Sequence, residues 1–393
     1  MSNDQFGLDD VLAAAEAAAP MRSLDVVARS LRERFGAGAV SFLLPDVIGQ
    51  KMVRVSEDVA SRDGTSAEQI PLHGSIYHDV LRSQRVMRAP VDGAGQRVVA
   101  PVTNRGDTIG VLELTLPDGT DEVLAQVADA AHALAYIVVT DRRFTDLYHW
   151  GKRTTPLTLA AEIQRGLLPS AASCEADEFT VAAALVPADS VGGDTYDYTV
   201  DHDTLHLSIT DAMGHDVESA LLATVLVNAS RRARRAGHDL AEQALEMHTA
   251  LREHGSHGHA TGQLLRIAVD GTGCRLVNAG HPWPLRLRDG TVEELDLRIN
   301  LPFGVPSAPP FRVQDVDLRP GDRLVLYTDG MQEREARSVD LPAVLRDSAA
   351  EHPREVVQVM TSAVSVACHG HLQDDATVVC LDWRVQTPRP GER

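Results

Sequence analysis

The chain has 393 residues, of which 44% are hydrophobic, and it carries a net charge of −19. This length is more than one typical hydrophobic core needs, so we expect two domains. The strong negative charge argues against binding to nucleic acid or to an anionic membrane. The N-terminus is polar and acidic, unlike a signal peptide, and the longest apolar run, residues 131–139, is too short to span a bilayer. We therefore expect a cytoplasmic protein.

The first part of the chain shows the pattern of a small sensor domain. Two predicted strands, 97–102 and 108–116, flank a short turn and indicate a hairpin. The phrases Val98–Val102 and Ile109–Leu114 resemble those of GAF domains, and we interpret residues 1–140 as a GAF-like domain. Nothing in it identifies a ligand, and a ligand-free dimerisation module is an equal alternative. The other expected elements are helices at 8–19, 24–34, 75–82 and 121–139 and a strand at 40–44.

Residues 141–170 are expected to form a helical linker that continues the apolar stripe of the helix before it. Thr155 is a natural N-cap and Pro156 suits the first helical position, so a second helix is predicted to begin there and to stop at Pro169. Two interpretations stay open: the helix packs passively on the next domain, or it transmits the state of the sensor. The residues that continue the stripe are Phe144, Leu147 and Trp150.

Residues 171–386 are expected to form the second domain, and the Pro- and Gly-rich tail 387–393 is expected to be disordered. Short apolar or alternating runs predict strands, and longer periodic runs predict helices. The predicted strands are 179–186, 196–200, 204–210, 264–269, 275–278, 284–288, 311–316, 323–327 and 377–381, and the predicted helices are 215–235, 239–252, 341–351 and 353–366.

Two acidic residues face each other in a predicted hairpin early in this domain. An alternating run before Asp211 is the pattern of a half-buried strand. If that strand pairs with the segment 196–200, Asp194 lies opposite Asp211. Like charges opposed across an antiparallel pair are destabilising, unless one is protonated or a cation is supplied. Gly192 and Gly193 would let the backbone approach whatever binds there.

Two further aspartates stand at the ends of buried strands. Asp329 follows the apolar run 323–327, and Asp374 precedes the run 377–381. The end of one antiparallel strand and the start of its neighbour fall on the same edge, so the four aspartates could converge on one rim. Such an all-oxygen cluster suits magnesium or manganese rather than zinc. Two such ions would form a site that hydrolyses phosphate esters.

Five motifs follow one another in the second domain: Gly192-Gly193-Asp194-x-Tyr196-Asp197, Asp211-x-x-Gly214-His215, Asn278-Ala279-Gly280-His281-Pro282, Tyr327-Thr328-Asp329-Gly330 and Asp374-Asp375-x-Thr377. Together they resemble the SpoIIE/RsbU-type branch of the PPM (type 2C-like) metal-dependent serine/threonine phosphatases. The segment 163–169 is similar to the short helix that precedes that domain. The resemblance implies an α+β fold, an αββα sandwich of two antiparallel sheets with a binuclear manganese or magnesium site between them.

The resemblance also implies roles for individual residues. Asp211 would bridge the two ions, and the backbone carbonyl of Ala212 would bind one of them. Asp194, Asp329 and Asp374 would complete the metal site directly or through water. Asp211 and Asp329 are the expected catalytic residues, because they would hold the ions that activate the attacking water.

Some positions depart from the family or lie behind the ligands. Met213 stands where type 2C enzymes outside this branch carry a histidine that is a possible general acid. His215 could substitute, although a capping or packing role is the favoured interpretation. Asp375 and Asp197 are expected to support the metal ligands, and His281 is expected to have a structural role.

The expected function is therefore that of a Mn/Mg-dependent phosphoprotein serine/threonine phosphatase. By resemblance, its substrate would be a phosphorylated anti-sigma-factor antagonist of the STAS type in partner-switching signalling. A homodimer through the N-terminal domain and the linker helix is a possible assembly. An inactive, signal-dependent binding module of the same fold is the alternative, and the four acidic residues favour the enzyme. A two-metal nuclease is disfavoured by the net charge.

Overall fold

The computed structural model describes residues 8–46, 49–55, 67–90, 95–150, 154, 157–188, 192–214, 216–254, 258–306 and 310–384. The chain divides into two compact units, Met1–Pro156 and Leu157–Arg393. The boundary falls within the predicted linker. The predicted disordered tail 387–393, His215 and the Thr155–Pro156 pair lie outside the described residues.

The N-terminal unit is built around one antiparallel sheet of six strands in the order β3-β2-β1-β6-β5-β4. The predicted hairpin is present and turns at Arg105 and Gly106, which both have positive φ. The elements are α1 (Leu8–Ala17), α2 (Ser23–Phe35), β1 (Val40–Pro45), β2 (Lys51–Val55), β3 (Gln69–Pro71), α3 (Ile76–Ser83), β4 (Met87–Pro90), β5 (Gln96–Asn104), β6 (Asp107–Leu116), α4 (Asp121–Asp141) and α5 (Leu147–Trp150).

Both faces of this sheet are covered. Leu31 of α2 and Leu134 of α4 pack against Leu112 on one face. On the other face, Tyr77 of α3 lies in a smaller cluster with Val99. Sequence patterns did not predict β2, β3 and β4. The GAF-like assignment of this unit stays a prediction.

The helical stripe that was predicted to continue after Asp141 forms only in part, so that part of the linker prediction is wrong. Helix α4 ends at Asp141, and among the described residues that follow it in this unit the four of α5 are the helical ones. Phe144, which was expected on the apolar stripe, is 70% exposed. Helix α4 is also longer than the apolar run within it. By length and composition its 21 residues could cross a membrane, yet Val127 and other apolar residues of this helix are buried in the core of the unit.

The C-terminal unit contains two antiparallel sheets, sheet I with the order β14-β13-β16-β17-β8-β7 and sheet II with the order β15-β12-β11-β10-β9. Its strands are β7 (Ser173–Glu175), β8 (Phe179–Val186), β9 (Asp194–Val200), β10 (Thr204–Ala212), β11 (Ala260–Ala268), β12 (Cys274–Ala279), β13 (Leu285–Arg288), β14 (Thr291–Glu294), β15 (Gln314–Val316), β16 (Arg323–Tyr327) and β17 (Ala376–Trp383). Its helices are α6 (Leu159–Leu167), α7 (Asp216–Arg235), α8 (Leu240–Glu253), α9 (Leu341–Asp347) and α10 (Pro353–Ala367).

Three apolar clusters define four layers in this unit. Helices α9 and α10 pack on the outer face of sheet I, where Val356 and Met360 meet Val325. The two sheets face each other through residues such as Leu207 and Leu326. Helices α7 and α8 cover the outer face of sheet II. The predicted αββα sandwich is therefore confirmed.

Several predicted boundaries in this unit need correction. Helix α6 starts later than predicted, because Thr158 caps it by accepting a hydrogen bond from the Ala161 amide. Strand β15 is shorter than the predicted run, since Phe311 leaves the strand and packs against Phe303, with 5.3 Å between ring centroids. Helix α9 also ends earlier than predicted.

Candidate metal centre

Asp194 and Asp211 lie opposite each other at the paired ends of β9 and β10, as the sequence predicts. In β10, Leu205, Leu207 and Ile209 point between the two sheets. Side chains alternate along a strand, so Asp211 belongs to this same inner face. The hairpin thus places both carboxylates at one edge of the space between the sheets.

The glycines before Asp194 allow this edge to close. A Cβ atom on Gly193 would lie 2.2 Å from the carbonyl oxygen of Ala212, and a Cβ atom on Gly192 would lie 3.0 Å from Asp374 Oδ1. The first distance is far below van der Waals contact. The predicted close approach is therefore real, and the partners that require it are protein atoms.

Two hydroxyl groups of sheet I hold the side chain of Asp194. Thr328 Oγ1 donates to Asp194 Oδ2 at 2.7 Å, and Thr377 Oγ1 donates to the same oxygen at 2.6 Å. Asp194 is only 1% exposed. Burial raises its pKa, the charges of Asp211 and Asp375 raise it further, and the two hydroxyl donors oppose this effect. Asp194 therefore joins the edges of both sheets.

Asp211, Asp329 and Asp374 are brought together, and each has a raised pKa. Burial raises the pKa of Asp211 to about 7 and that of Asp374 to about 6, and neighbouring acidic groups add to both shifts. Burial and Glu333 raise the pKa of Asp329. The charged groups that perturb these three carboxylates are all acidic. A cation bound among them would remove this repulsion.

Sequence analysis missed Gln164, which links helix α6 to this edge. Its side chain is 1% exposed. Its Nε2 donates to the carboxylate of Asp375 and, at 2.8 Å, to the carbonyl oxygen of Asp194. Asp375 Oδ1 accepts hydrogen bonds from the amides of Ala188 and Gly192. The helical period predicted that Gln164 shares the apolar face of α6, but no local signal indicated its partner 211 residues away.

Sequence analysis also missed Glu333, whose charge raises the pKa of Asp211, Asp329 and Asp374. Glu333 and Asp374 both line a small surface cleft that also includes Gly330. Glu333 adds further carboxylate charge beside the cluster.

Two other predicted residues have structural partners. Asp197 pairs with Arg231 at 3.0 Å and with Arg234 at 3.3 Å, so it anchors helix α7 and is not part of the cluster. His281 is buried and bonded to Thr261 Oγ1 at 2.8 Å. Burial lowers the pKa of His281 to about 3, which keeps its ring neutral near neutral pH.

The donor set fits hard divalent cations that keep part of their water. Among the described residues, no three acidic, histidine or cysteine side chains are close enough to hold one ion by themselves. Magnesium is commonly bound by one or two carboxylates, with water and substrate phosphate as the other ligands. Pairs of carboxylates with raised pKa values and the nearby carbonyl of Ala212 match that requirement.

An αββα sandwich with aspartates gathered at one edge between its sheets is the architecture of PPM-type phosphatases. Residues 201–384 match the sequence profile of the family described as Stage II sporulation protein E (SpoIIE). Over these residues the C-terminal unit is therefore similar to the SpoIIE family.

The chain is also similar to known proteins in sequence and in structure. A 237-residue region is 21% identical to phosphoserine phosphatase RsbU of Bacillus subtilis and covers 58% of this chain and 70% of RsbU. A region of the same length is 25% identical to phosphoserine phosphatase RsbP of that organism, covering 58% of this chain and 57% of RsbP. The crystal structure of the RsbU and RsbW domains of a Mycobacterium tuberculosis protein matches with 25% identity and a TM-score of 0.47, over 54% of this chain and 61% of that one.

Proposed function

We propose that this protein is a divalent-cation-dependent phosphatase that hydrolyses phosphoserine or phosphothreonine in a protein substrate. The observation that carries the proposal is the gathering of Asp194, Asp211, Asp329 and Asp374 from both sheets, where burial and acidic neighbours raise the pKa of each. Two relatives named phosphoserine phosphatases support the choice of substrate group.

In this proposal Asp194, Asp211, Ala212, Asp329 and Asp374 hold two ions, Mn²⁺ or Mg²⁺. Bound there, the ions would acidify a water molecule and neutralise the phosphoryl oxygens. The other roles at the site belong to residues of the protein itself.

Supporting residues fix the positions of these ligands. Thr328 and Thr377 hold one oxygen of Asp194, so its carboxylate has one orientation. Asp375 ties the segment before Asp194 to the start of β17. Residues in such supporting positions commonly change metal affinity or activity 10- to 100-fold when they are replaced.

The substrate that we propose is a phosphorylated anti-sigma-factor antagonist of the STAS type, in the cytoplasm. The similarity to RsbU and RsbP supports this choice. We also propose that the N-terminal unit is a GAF-like sensor, and that it forms a homodimer together with the linker. In support, this unit has its own antiparallel sheet with helices on both faces.

Turnover of a phosphoserine peptide by the full chain tests the proposed activity. We expect hydrolysis with Mn²⁺ or Mg²⁺, and none with Zn²⁺ at comparable occupancy, because the proposed ligands are all oxygen atoms. Full activity after exhaustive chelation would refute the metal mechanism. Absence of turnover with every ion would favour a binding module, and a STAS-domain phosphoprotein compared with an unrelated phosphoprotein tests the substrate.

A further inference from the structure

The reaction proposed above needs a proton donor that the metal ligands do not supply. Cleavage of a phosphoserine ester releases a serine alkoxide, which is a strong base and a poor leaving group. A positioned side chain that protonates such a group contributes about 10²- to 10⁴-fold in rate. Met213, two residues after Asp211, has a thioether side chain and cannot donate this proton.

The backbone ladder places a histidine directly across from Met213. The Met213 amide donates to the carbonyl oxygen of His259 at 3.0 Å. This bond extends the pairing of β10 and β11 by one pair beyond Ala212 and Ala260. Directly opposed residues of an antiparallel pair have side chains on the same face.

The same register relates His259 to the metal ligands. Asp211 is paired with Thr261, and residues two apart on a strand point to one face. His259 therefore shares the inner face with Asp211, one step further towards the edge, at about 7 Å along the strand. His259 as a residue is half-buried.

The backbone around His259 is held on both sides. Ala260 exchanges two hydrogen bonds with Phe303, at 3.0 and 2.8 Å. Gly304 packs so closely that a Cβ atom there would lie 3.4 Å from the Cα atom of His259. A proton donor needs such a fixed position relative to the reacting atoms.

The buried histidine nearby is not suited to this role. His281 is 1% exposed and bonded to Thr261, and burial lowers its pKa to about 3. Its neutral ring is therefore a poor acid near neutral pH. His371 lines the cleft beside Asp374 and provides a competing candidate that the experiment can separate.

We propose that His259 is the general acid of this phosphatase; this inference rests on the proposed function. As the oxygen of the attacking water bonds to phosphorus, the bond between phosphorus and serine Oγ breaks. The imidazolium of His259 gives its proton to that Oγ, so the products are phosphate and a neutral serine hydroxyl. The imidazole then regains a proton from solvent.

The test compares two phosphate esters that differ in their need for a proton. A phosphoserine peptide has a poor leaving group, whereas p-nitrophenyl phosphate releases a stable phenolate without help. With saturating Mn²⁺, we expect His259→Gln to lower kcat for the peptide about 100-fold. Turnover of the aryl ester should stay within about threefold, because the general-acid contribution is absent for that leaving group.

A variant that moves the imidazole to the opposite strand tests whether the position of the imidazole determines its effect. Adding Met213→His to His259→Gln returns an imidazole to the opposite strand, and we expect it to restore peptide turnover in part. His254→Gln, at the exposed end of α8, is the control and should change neither rate. His259→Asn serves as a second variant, with thermal melting to establish that each protein is folded.

Equal losses for both esters would show that His259 is structural, and no loss would show that it is dispensable; either result overturns the proposal. A selective loss in His371→Gln in place of His259→Gln would assign the role to the cleft. A wild-type chain that hydrolyses neither ester would refute the proposed phosphatase function, and with it the role of His259.

Discussion

Replacing Gln164 by methionine should weaken metal binding more than its effect on stability alone would imply. Methionine keeps the length of the side chain and removes its polar end. The side chain is buried, so water cannot replace the lost donor. The substitution removes hydrogen bonds to the carboxylate of Asp375 and to the carbonyl oxygen of Asp194.

The loss of stability can be worked out from these contacts. A hydrogen bond to a buried charged group contributes about 1.5–3 kcal/mol, and one to a neutral carbonyl contributes about 1 kcal/mol. The expected destabilisation is thus about 2.5–4 kcal/mol, which a domain of ordinary stability, about 5–15 kcal/mol, survives. Asp375 keeps its amide donors from Ala188 and Gly192, so the loop should stay in place but become looser.

The functional effect should appear in the metal dependence. Loss of a residue that positions metal ligands commonly lowers metal affinity 10- to 100-fold. We expect Gln164→Met to shift the Mn²⁺ concentration for half-maximal turnover upward by about that factor. Excess Mn²⁺ should restore most of kcat. The assay is hydrolysis of a phosphoserine peptide over a titration of Mn²⁺, with thermal melts in EDTA.

Gln243→Met provides a matched control. Gln243 on α8 is 4% exposed, donates to Ser230 Oγ at 2.9 Å and accepts from Arg266 at 2.9 Å. Its loss should destabilise the unit to a similar extent without changing the Mn²⁺ titration. If both variants melt at a lower temperature and neither changes the Mn²⁺ concentration for half-maximal turnover, Gln164 only packs the helix and its predicted effect on metal binding is refuted.

Three further predictions concern the acidic edge and helix α6. Asp211→Asn should abolish turnover while the ion-free chain melts at the same or a higher temperature, because it relieves repulsion among acidic neighbours; marked destabilisation in EDTA would indicate a structural network. Burial raises the pKa of Asp211 to about 7 and that of Asp374 to about 6. These two groups therefore stabilise the ion-free folded chain below about pH 4, and this stabilisation is lost as the pH rises through 6 to 7. Thermal melts without ions should show a Tm that falls over this range, and saturating Mn²⁺ should remove the fall. If α6 transmits a signal, Ile163→Ala and Leu167→Ala should change basal turnover in either direction. If the turnover of every variant instead falls in proportion to its Tm, and a chain starting at residue 171 has normal activity, α6 has only a structural role.

The sequence predicted the parts of the site that depend on strand periodicity. The alternation in β10 placed Asp211 on the inner face and opposite Asp194, because a period of two leaves little freedom in register once one face is buried. The strand-end positions of Asp329 and Asp374 followed from the same reasoning. These are local patterns that a single strand or hairpin carries.

The contacts that were missed join segments far apart in the chain. The spacing of residues in α6 identifies Gln164 only as a residue on the inner face of the helix. Its acceptor, the carboxylate of Asp375, lies 211 residues away in the sequence. Thr328 and Thr377 read as residues that start or end strands, yet both donate to Asp194 across the two sheets. These hydrogen bonds depend on how the two sheets pack against each other, which the spacing of residues along one strand or helix does not determine.

In the linker, by contrast, a local pattern predicted a helix that the structure contains only in part. Apolar spacing at Phe144 and Leu147 predicted a continuing helix, but α4 ends at Asp141 and Phe144 faces solvent. Helical spacing states which residues would share a face if a helix formed; it does not decide whether the helix continues. Here the unit buries Tyr148 of the short helix α5 in its core instead.

Asp375 explains how α6 could affect the proposed metal ligands without itself contacting an ion. Its carboxylate binds Gln164 of α6 and the amides of Ala188 and Gly192, and its neighbour Asp374 is a proposed ligand. Gln164 at the same time binds the carbonyl of Asp194. A movement of α6 would therefore change the positions of ligands on both sheets at once, whereas a helix that only packed on the surface would affect stability alone. The contacts of Gln164 thus give helix α6 a direct connection to the proposed metal ligands.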